Sequence, residues 1–561
     1  MSICFYFHPD GYTTKGRQVM GRHVAGESFL QAALRYGAKG DLWIQLEQPS
    51  HAKVFAAIAQ ACGRHEPVHA VQRKTLGRLR EPGCVYLPGP GLGEWARHRS
   101  PHGETAWSLC GITHTTASTR AMDAIAELLT APVQPWDALI CTSRAVHNHV
   151  SRILQAEVDY LKRRFAIGKV CLPQLPVIPL GVHADALTPS PQAKAQARRR
   201  LNVGNDAVVV LFVGRLAFHG KAHPLAMYQA LEQAAQATRR PVVLVECGWH
   251  ANEHIQQAFS QAAAAACPSV RVVTLDGRQP EQVQMAWQLA DVFCSLSDNV
   301  QETFGITPIE AMAAGLPVVV SDWDGYRDTV RDGVDGFRIP TLMPPPGSGA
   351  DLAQRHALGV DTYDMYCAYT SSMVAVDVKA TAQAFERLIA SDSLRQSMGE
   401  SGRQRVLGHF DWRVIIPRYE ELWADLDARR AAEARAPHNL PGAAGGERHP
   451  WAARLDPFYG FASYPSAKLK PDSTLALVDR SAAIAVDRFR AYQSLEMVKY
   501  VVTVMAPLHQ LEQLLQGLDQ GPARAQTLVQ DVCPNPQDGP VLFRSIAWLI
   551  KLGLVALVPN R

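Results

Sequence analysis

Two glutamates, Glu302 and Glu310, frame a stretch of sequence that could bind a ligand rich in hydroxyl groups, because carboxylates accept hydrogen bonds from hydroxyls. Seven residues lie between them. The pattern after Glu302 predicts a short helix, since Pro308 suits a first helical turn and Gly315 suits a C-terminal cap. We therefore expect Glu302 in the loop before this helix and Glu310 within it.

The backbone between the two glutamates has the features of an anion site. N–H groups at the start of a helix are free and lie at the positive end of its dipole, where they bind phosphate. A carboxylate pair beside such a site suits a ligand with both hydroxyls and phosphates, such as a nucleotide sugar. For an isolated pair of glutamates, a helix cap and a surface ion pair would be the simpler explanation. The amides expected to bind the anion belong to Phe304, Gly305 and Ile306.

The stretch from Glu302 to Asp328 resembles the E-x7-E signature of the retaining glycosyltransferases of family 4. The Phe-Gly after the first glutamate, the Glu-Ala-Met-Ala around the second and the following Gly-x-Pro-Val all match. The resemblance implies the GT-B fold, in which two Rossmann-like domains face each other across a cleft. It also implies a UDP- or GDP-sugar donor, no required cofactor and no metal. Within this pattern Glu302 would bind the donor sugar and Glu310 the ribose hydroxyls.

Two cations, Arg215 and Lys221, follow a predicted buried strand in the segment FVGRLAFHGKAHP. A guanidinium offers a fork to two oxygens and an ammonium offers a point charge, so both can bind a pyrophosphate. The alternative is that both cations are solvent-exposed side chains at the end of a strand and bind no ligand. The segment is similar to the G-R-L…K motif of the same family, with the lysine one place later than in the commonest form. The resemblance implies that both residues bind the donor phosphates.

A histidine and two glycines complete the candidate site. His114 ends a predicted strand, and strand ends are where ligands bind in open α/β sheets. A hydrogen-bonded core histidine is the alternative, whereas the resemblance implies that His114 faces the donor sugar. Gly16 and Gly21 lie in a glycine-rich loop after the first predicted strand, a type of loop that brings amides close to a phosphate. In the resembled family such a loop lies over the donor phosphates.

Two metal-like motifs are interpreted as coincidences. His250 to His254 match the H-x-x-E-H signature, but the match directly follows a strand and a glycine, and short motifs give false positives. The acidic pair Asp322 and Asp324 mimics a D-x-D motif at another strand end. We therefore predict no metal site.

Length and composition limit the number of domains, the partners and the compartment that the sequence allows. The 561 residues suffice for two to four domains, and 47% apolar with 19% charged residues is an ordinary globular balance. A net charge of +4 is too small at this length to indicate nucleic-acid binding. Eleven cysteines without a C-x-x-C pair indicate reduced thiols. The sequence has no signal-peptide pattern and no run of about 18 apolar residues, so we expect a cytoplasmic protein with at most peripheral membrane contact.

Alternating strand and helix patterns predict an α/β protein with several domains. The expected boundaries are an acceptor-side Rossmann-like domain at 1–183, a nucleotide-sugar domain at 184–410 with an inserted loop at 342–377, and a crossover helix at 411–430. A low-complexity linker at 431–448 and a small, mainly helical domain at 449–561, with a tail similar to a winged helix, complete the chain. The resemblance covers roughly residues 1–430 and does not extend to this last domain.

The C-terminal domain favours a protein contact over nucleic acid. Four basic and four acidic residues balance between residues 508 and 561, so the electrostatic term that nucleic-acid binding needs is missing. Its expected partner is a second copy of the chain or the macromolecule that accepts the sugar. The sequence as a whole predicts a retaining hexosyltransferase of bacterial-type glycan biosynthesis, acting on a glycan, peptide or protein. A GT-B phosphorylase or epimerase, and a non-catalytic sugar-nucleotide-binding protein with a docking tail, are the alternatives.

Overall fold

The structure, a computed structural model, describes residues 3–13, 21–168, 170–188, 190–435, 453–533, 535 and 539–558. The chain divides into two compact units, Met1–Trp451 and Ala452–Arg561. The first unit holds two parallel sheets, and the second holds a small antiparallel one. Within the described ranges, no helix is long and apolar enough to cross a membrane.

The first domain of the larger unit is a doubly wound parallel sheet. Its strands are β1 (Cys4–Tyr6), β2 (Leu42–Gln45), β3 (Val68–Val71), β4 (Cys84–Tyr86), β5 (Ser108–Ile112) and β6 (Ala138–Ile140). They are arranged in the order β3-β2-β1-β4-β5-β6. Val85 and Leu109 pack on one face and Tyr86 and Cys110 on the other, which explains why these strands read as continuous apolar runs.

Helices cover both faces of this sheet. They are α1 (Pro9–Tyr12), α2 (Gly21–Tyr36), α3 (His51–Ala61), α4 (Gly93–Arg99), α5 (Thr119–Ala126) and α6 (Arg144–Phe165). Short 3-10 helices lie at Arg73–Arg80, Ser100–His102, Glu127–Leu129 and Ala184–Leu187. Helix α6 begins where Ser143 accepts a hydrogen bond from the Val146 amide, the usual N-cap role of serine.

The second domain repeats the same architecture. Its strands are β7 (Val208–Val213), β8 (Val242–Gly248), β9 (Arg271–Asp276), β10 (Val292–Ser295), β11 (Val318–Ser321) and β12 (Gly336–Ile339). Its helices are α7 (Pro191–Arg200), α8 (Leu225–Thr238), α9 (Glu253–Ala266), α10 (Pro280–Leu289), α11 (Ile306–Ala313) and α12 (Tyr326–Thr329). The strands are parallel, in the order β12-β11-β10-β7-β8-β9. Both sheets therefore have the strand order of a Rossmann fold.

The predicted inserted loop at 342–377 contains regular structure instead. After β12 the chain forms β13 (Thr341–Leu342), α13 (Ala350–Ala357), α14 (Tyr363–Ser371) and β14 (Ala375–Val376). The two short strands pair in antiparallel fashion and close the base of the segment. Thr362 caps α14 by accepting from the Met365 amide, a local signal that the Pro- and Gly-rich composition concealed. We call residues 342–377 the insertion.

The chain then crosses back to the first domain. Helices α15 (Val378–Ala390) and α16 (Asp392–His409) belong to the second domain, and α17 (Trp412–Arg435) packs on α2, β4 and β5 of the first. Trp412 Nε1 donates to Ser28 Oγ at 2.7 Å, and the Ala38 amide donates to Glu420 Oε1 at 2.7 Å. α17 extends beyond its predicted end at 430, into the predicted linker, whose residues from 436 onward lie outside the described ranges. Two Rossmann-like domains joined in this way form the predicted GT-B fold.

The second unit is mainly helical, as predicted. Its elements are α18 (Pro457–Gly460), β15 (Thr474–Leu477), α19 (Ala482–Tyr492), α20 (Glu496–Lys499), α21 (Leu508–Gln516), β16 (Ala523–Arg524), α22 (Ala525–Val532), α23 (Gly539–Lys551) and β17 (Val555–Leu557). The strands form an antiparallel sheet in the order β16-β15-β17. Leu475, Phe489, Leu515 and Leu542 form part of a separate hydrophobic core, so this unit has the core of an independent domain.

Candidate active site

The strand order of the second sheet defines where a ligand would bind. The order reverses between β7 and β10, and ligands of open parallel sheets bind outside the carboxyl ends of the strands at such a point. The loop after β7 carries Arg215 and Lys221, and the loop after β10 carries Glu302. Three residues singled out by the sequence therefore meet at one edge of the sheet.

An ion pair joins these two loops. Lys221 Nζ donates to Glu302 Oε2 at 2.5 Å, and the side chains are only 25% and 12% exposed. Burial alone would raise the pKa of Glu302, but the Lys221 charge and the backbone N–H groups of Thr303 and Phe304 outweigh it, so the pKa is lowered. Glu302 is thus held as a carboxylate. The Phe304 amide, expected to bind an anion, also faces this carboxylate.

The start of α11 is shaped by a glycine. Gly305 is the N-cap and has a φ of 77°, a left-handed conformation that favours glycine. A Cβ added there would come within 1.9 Å of the Tyr326 ring, whose hydroxyl lies 2.8 Å from that of Ser295. Only glycine fits both the backbone and the neighbouring ring. Helix α11 therefore begins at Ile306, after the loop that carries Glu302, and anion binding by its first amides stays a prediction.

Glu310 lies inside α11 and has the opposite electrostatic character. Burial raises its pKa to about 7, and the charge of Lys221 partly offsets this effect. Glu302 is thus ionised at neutral pH, whereas Glu310 gains or loses its proton close to neutral pH. Paired carboxyl groups whose surroundings separate their pKa values are typical of sites that assign them different roles.

The loop that carries Arg215 is fixed by its neighbour. Arg215 is partly buried and donates from Nη2 to the Gly220 backbone oxygen at 3.2 Å. Asn299 Nδ2 donates to the His219 backbone oxygen at 3.1 Å, and Gln301 Nε2 donates to that of Gly220 at 2.9 Å. These bonds hold the cation-bearing loop in one position before any ligand binds, which is the arrangement that electrostatic stabilisation requires.

The first domain contacts the loop that carries Glu302. His114 follows β5, and its backbone oxygen accepts from Thr303 Oγ1 at 3.3 Å. Thr142 follows β6 and donates from Oγ1 to the Thr303 backbone oxygen at 3.4 Å. Because Thr303 directly follows Glu302, the carboxyl edges of the two sheets meet at the first glutamate of the motif. The structure thus brings His114 together with the residues of the second domain.

Two aspartates at the same edge were missed as site residues by the sequence interpretation. Asp298 follows β10 and is 4% exposed, and burial raises its pKa to about 7. Asp324 follows β11 and accepts from Ser143 Oγ at 3.0 Å; burial and the nearby Glu302 charge raise its pKa to about 8. Their position directly after buried strands was the available signal, because strand ends line the ligand crevice.

The predicted glycine-rich loop of the first domain is only partly described. Gly21 is the first residue of α2, whereas Gly16 lies outside the described residues. A role of this loop at the donor phosphates stays a prediction.

The zinc-like motif at residues 250–254 does not form a helix face. Asn252 caps α9 by accepting from the Ile255 amide at 3.0 Å, so His250 precedes the helix and packs edge-on against Phe259. Among the residues that the structure describes, no group of three or more His, Cys, Asp or Glu side chains is arranged to hold a metal ion.

Comparison with known proteins places this site in a recognised domain. Residues 193–344 match the family model of glycosyl transferases group 1, and this range includes Arg215, Lys221 and both motif glutamates. This match covers all six strands of the second sheet.

Curated relatives match parts of the chain. A D-inositol 3-phosphate glycosyltransferase of Geodermatophilus obscurus is 32% identical over 247 residues, which are 41% of this chain and 54% of that protein. A lipopolysaccharide 1,2-N-acetylglucosaminetransferase of Salmonella typhimurium is 23% identical over 249 residues, or 44% of this chain and 55% of that protein. The chain spans 54% of the length of the Geodermatophilus protein, and 64% and 38% of the length of two further D-inositol 3-phosphate glycosyltransferases.

Solved structures match about three quarters of the chain at low sequence identity. HepE of Anabaena, in complex with UDP and glucose, matches 76% of this chain and 100% of its own, with 16% identity and a TM-score of 0.47. Sucrose-phosphate synthase of Thermosynechococcus elongatus matches 76% of this chain and 99% of its own, with 17% identity and a TM-score of 0.45.

Proposed function

We propose that the chain is a retaining glycosyltransferase that moves a sugar from a nucleotide-diphosphate sugar to an acceptor hydroxyl. The observation that carries this proposal is the Lys221–Glu302 ion pair at the strand-order reversal of the second sheet, beside the N-terminus of α11. A cation, a carboxylate and helix amides in one crevice match a ligand that combines a diphosphate with a sugar. The glycosyltransferase group 1 domain supports the same assignment.

The phosphate groups of the donor define the first task of the site. As the bond to the sugar breaks, the leaving diphosphate gains negative charge, and catalysis needs fixed positive groups at that position. Arg215, Lys221 and the amides at the start of α11 supply them in our proposal. The bonds that hold the Arg215 loop mean that little reorganisation is needed when the charge develops.

In this proposal the two glutamates bind hydroxyl groups of the donor. Glu302 is kept ionised and accepts from hydroxyls of the donor sugar, while Glu310 accepts from the ribose. His114 faces the sugar from the first domain, on the other side of Thr303. This division of roles follows the resemblance to the family 4 signature and agrees with the different pKa values of the two carboxyl groups.

Retention at the anomeric carbon is the finer part of the proposal. No side chain among the described site residues stands out as a nucleophile for a covalent intermediate. In a front-face mechanism the leaving phosphate oxygen takes the proton of the acceptor hydroxyl, and the acceptor attacks from the side that the phosphate leaves. Fixed cations at the phosphate are then the main requirement, and the site provides them.

The acceptor is proposed by class. It is a hydroxyl-bearing glycan, peptide or protein, and the curated relatives add the phosphorylated cyclitol D-inositol 3-phosphate as a small acceptor to be tested. No cofactor is required, because both substrates supply the reacting groups.

The proposal is tested in two stages with the full-length chain. A thermal-shift screen of UDP-glucose, UDP-N-acetylglucosamine and GDP-mannose identifies the donor, because a bound ligand raises the melting temperature by mass action. Proton NMR of the product formed with each acceptor then gives the anomeric configuration. Retention of the donor configuration is expected. Inversion would overturn the retaining assignment, and the absence of a shift with every nucleotide sugar would overturn the function.

A further inference from the structure

The insertion reaches the first domain through a pair of hydroxyls. Tyr363, the first residue of α14, lies with its Oη 3.3 Å from Oγ1 of Thr115. Thr115 directly follows His114 at the carboxyl edge of the first sheet. α14 belongs to the second domain, so it bridges the crevice to the loop that carries His114.

The inner face of the same helix carries a buried cysteine. Cys367 lies one turn after Tyr363 and is 1% exposed. Burial raises the pKa of its thiol to about 11, while its hydrogen bond with Tyr363 and the charge of Arg215 act in the opposite direction. The charge of Arg215 thus acts on the pKa of a buried residue of α14.

The rest of the insertion holds α14 in place. Arg355 of α13 donates to both carboxylate oxygens of Asp361 at 2.6 and 2.8 Å, and the Asp361 side chain is fully buried. The His356 ring stacks on Tyr366 with a centroid distance of 4.2 Å and an interplanar angle of 7°. A bidentate ion pair and a ring stack thus join the C-terminal end of α13 to Asp361 and to the first half of α14, so the insertion is a defined structural unit rather than a loose loop.

The second domain holds the segment His114–Thr115 from two sides. Thr303 Oγ1 donates to the His114 backbone oxygen at 3.3 Å, and Tyr363 contacts the next side chain at the same distance. Both contacts require the carboxyl edges of the two sheets to be together. We infer that Tyr363 is a positioning residue, whose hydroxyl fixes His114–Thr115 against the sugar-phosphate site when the domains close. The catalytic part of this inference rests on the proposed function, whereas the contact does not.

Removal of one hydroxyl tests the role in turnover. With UDP-glucose, UDP-N-acetylglucosamine and GDP-mannose as donors, Tyr363→Phe is expected to lower kcat by about three- to tenfold, the net effect of one hydrogen bond. The Kd for UDP or GDP is expected to stay unchanged, because the hydroxyl faces the first domain. Tyr369→Phe makes the same chemical change on an exposed position of the same helix and is expected to match the wild type.

A double-mutant cycle assigns the effect to the hydroxyl pair. Thr115→Val is expected to reduce kcat at least as much as Tyr363→Phe, because Thr115 Oγ1 also accepts from the Ala117 amide at 3.5 Å. The double variant is expected to lose no more than Thr115→Val alone, because the hydroxyl pair is already absent in that variant. Thr115→Ser keeps a hydroxyl and is expected to restore turnover. Additive losses would overturn the assignment.

Thiol labelling provides a readout that does not depend on a donor. Iodoacetamide reacts with Cys367 only when α14 moves away, and the exposed Cys171 serves as an internal reference. Peptide-resolved mass spectrometry is expected to show labelling of Cys367 that is about five times faster in Tyr363→Phe than in the wild type. Tyr369→Phe is expected to label at the wild-type rate.

The outcomes separate this inference from the proposed function. A wild-type chain that cleaves no donor would contradict the function, while faster labelling in Tyr363→Phe would still show that the hydroxyl fastens α14. Faster labelling with unchanged kcat would make the contact structural only and would overturn the positioning role. Unchanged labelling with unchanged kcat would overturn the inference entirely.

Discussion

Glu302 and Glu310 are close in sequence, yet their surroundings give them opposite acidities. Glu302 pairs with Lys221 and remains ionised, whereas Glu310 is buried in α11 and has a pKa near 7. A single carboxylate type can therefore perform two tasks at neutral pH, because the environment rather than the residue sets the charge. This difference makes the two roles separable by experiment.

We expect Glu310→Gln to weaken the binding of UDP or GDP by about 1.5–3 kcal/mol, the range for a hydrogen bond to a charged group. Glu302→Gln should leave nucleotide affinity unchanged, because Lys221 is released from its ion pair and remains available to the diphosphate, while sugar transfer falls. Calorimetry at pH 8, where Glu310 is ionised, measures both variants. Glu253→Gln, exposed at the start of α9, is the control. Equal losses in the two variants would contradict the division of roles.

The raised pKa of Asp324 makes stability depend on pH. Burial and the Glu302 charge raise this pKa to about 8, against about 4 in the unfolded chain. Between these values the folded state keeps a proton that the unfolded state has lost, so the free energy of unfolding falls as pH rises and is lowest above 8. The neutral variant Asp324→Asn lacks this term, and its amide oxygen can still accept from Ser143.

The melting temperature of Asp324→Asn, relative to the wild type, should therefore rise by about 1–3 °C between pH 5 and pH 8.5. Scanning calorimetry at both pH values measures it. Asp351→Asn, on the exposed start of α13, controls for the loss of a charge. If the melting temperatures of Asp324→Asn and the wild type differ by the same amount at both pH values, Asp324 does not titrate in this range.

At the scale of elements, the start of α11 depends on Gly305. An alanine there is strained by its φ of 77° and overlaps the Tyr326 ring, so we expect a loss of more than about 1–2 kcal/mol in stability and weaker binding of UDP or GDP. Gly333→Ala is a matched control, because Gly333 has a φ of 72° and open space around its Cβ position. Thermal melts and nucleotide titrations compare the two. Equal effects would mean that backbone strain alone, and not the fit to Tyr326, matters.

Much of the fold follows from local sequence. Continuous apolar runs such as Val318–Ser321 predict buried parallel strands, and the parallel topology then requires residues after the strands to share one edge. The resemblance to the family 4 motifs implied that Arg215 and Glu302 bind the same donor, and both residues follow strands of the second sheet. The mainly helical character of the second unit is confirmed for the same reason, since its helices show regular apolar periodicity.

Other features depend on contacts that no local pattern encodes. The pairing of Asp324 with Ser143 joins residues that are 181 positions apart, and Tyr363 and Thr115 are 248 apart. These contacts exist because the two sheets face each other. The helices of the insertion were missed because prolines and glycines before α13 dominate its composition, while the cap at Thr362 is a single residue.

At the scale of the whole molecule, the larger unit is held closed by bonds between its domains. Arg144 Nε donates to Asp328 Oδ1 at 2.7 Å, and Ser143 donates to Asp324 beside it. The Val182 amide also donates to the Phe410 backbone oxygen at 2.9 Å, where the chain crosses between domains. These three bonds join the two domains of the larger unit.

The smaller unit has its own core, so we expect its removal to leave the catalytic unit folded. A chain without residues 449–561 should still cleave the donor, but it should change in oligomeric state or lose transfer to its true acceptor, because the unit's balanced charge favours a protein contact. Light scattering and a donor-cleavage assay measure both properties. A monodisperse variant with unchanged oligomeric state and unchanged transfer would contradict this role.

Cleavage of a nucleotide sugar by the full-length chain tests the central claim most directly. The measurement is the release of UDP or GDP from UDP-glucose, UDP-N-acetylglucosamine and GDP-mannose by the wild type, Arg215→Ala and the exposed control Arg199→Ala. We predict that the wild type cleaves at least one donor and that Arg215→Ala lowers this turnover by about 10²–10³, the effect of losing a donor aimed at developing charge. Arg199→Ala should retain full turnover. A wild type that cleaves none of the donors, or an Arg215→Ala variant that cleaves them at the wild-type rate, would contradict the account.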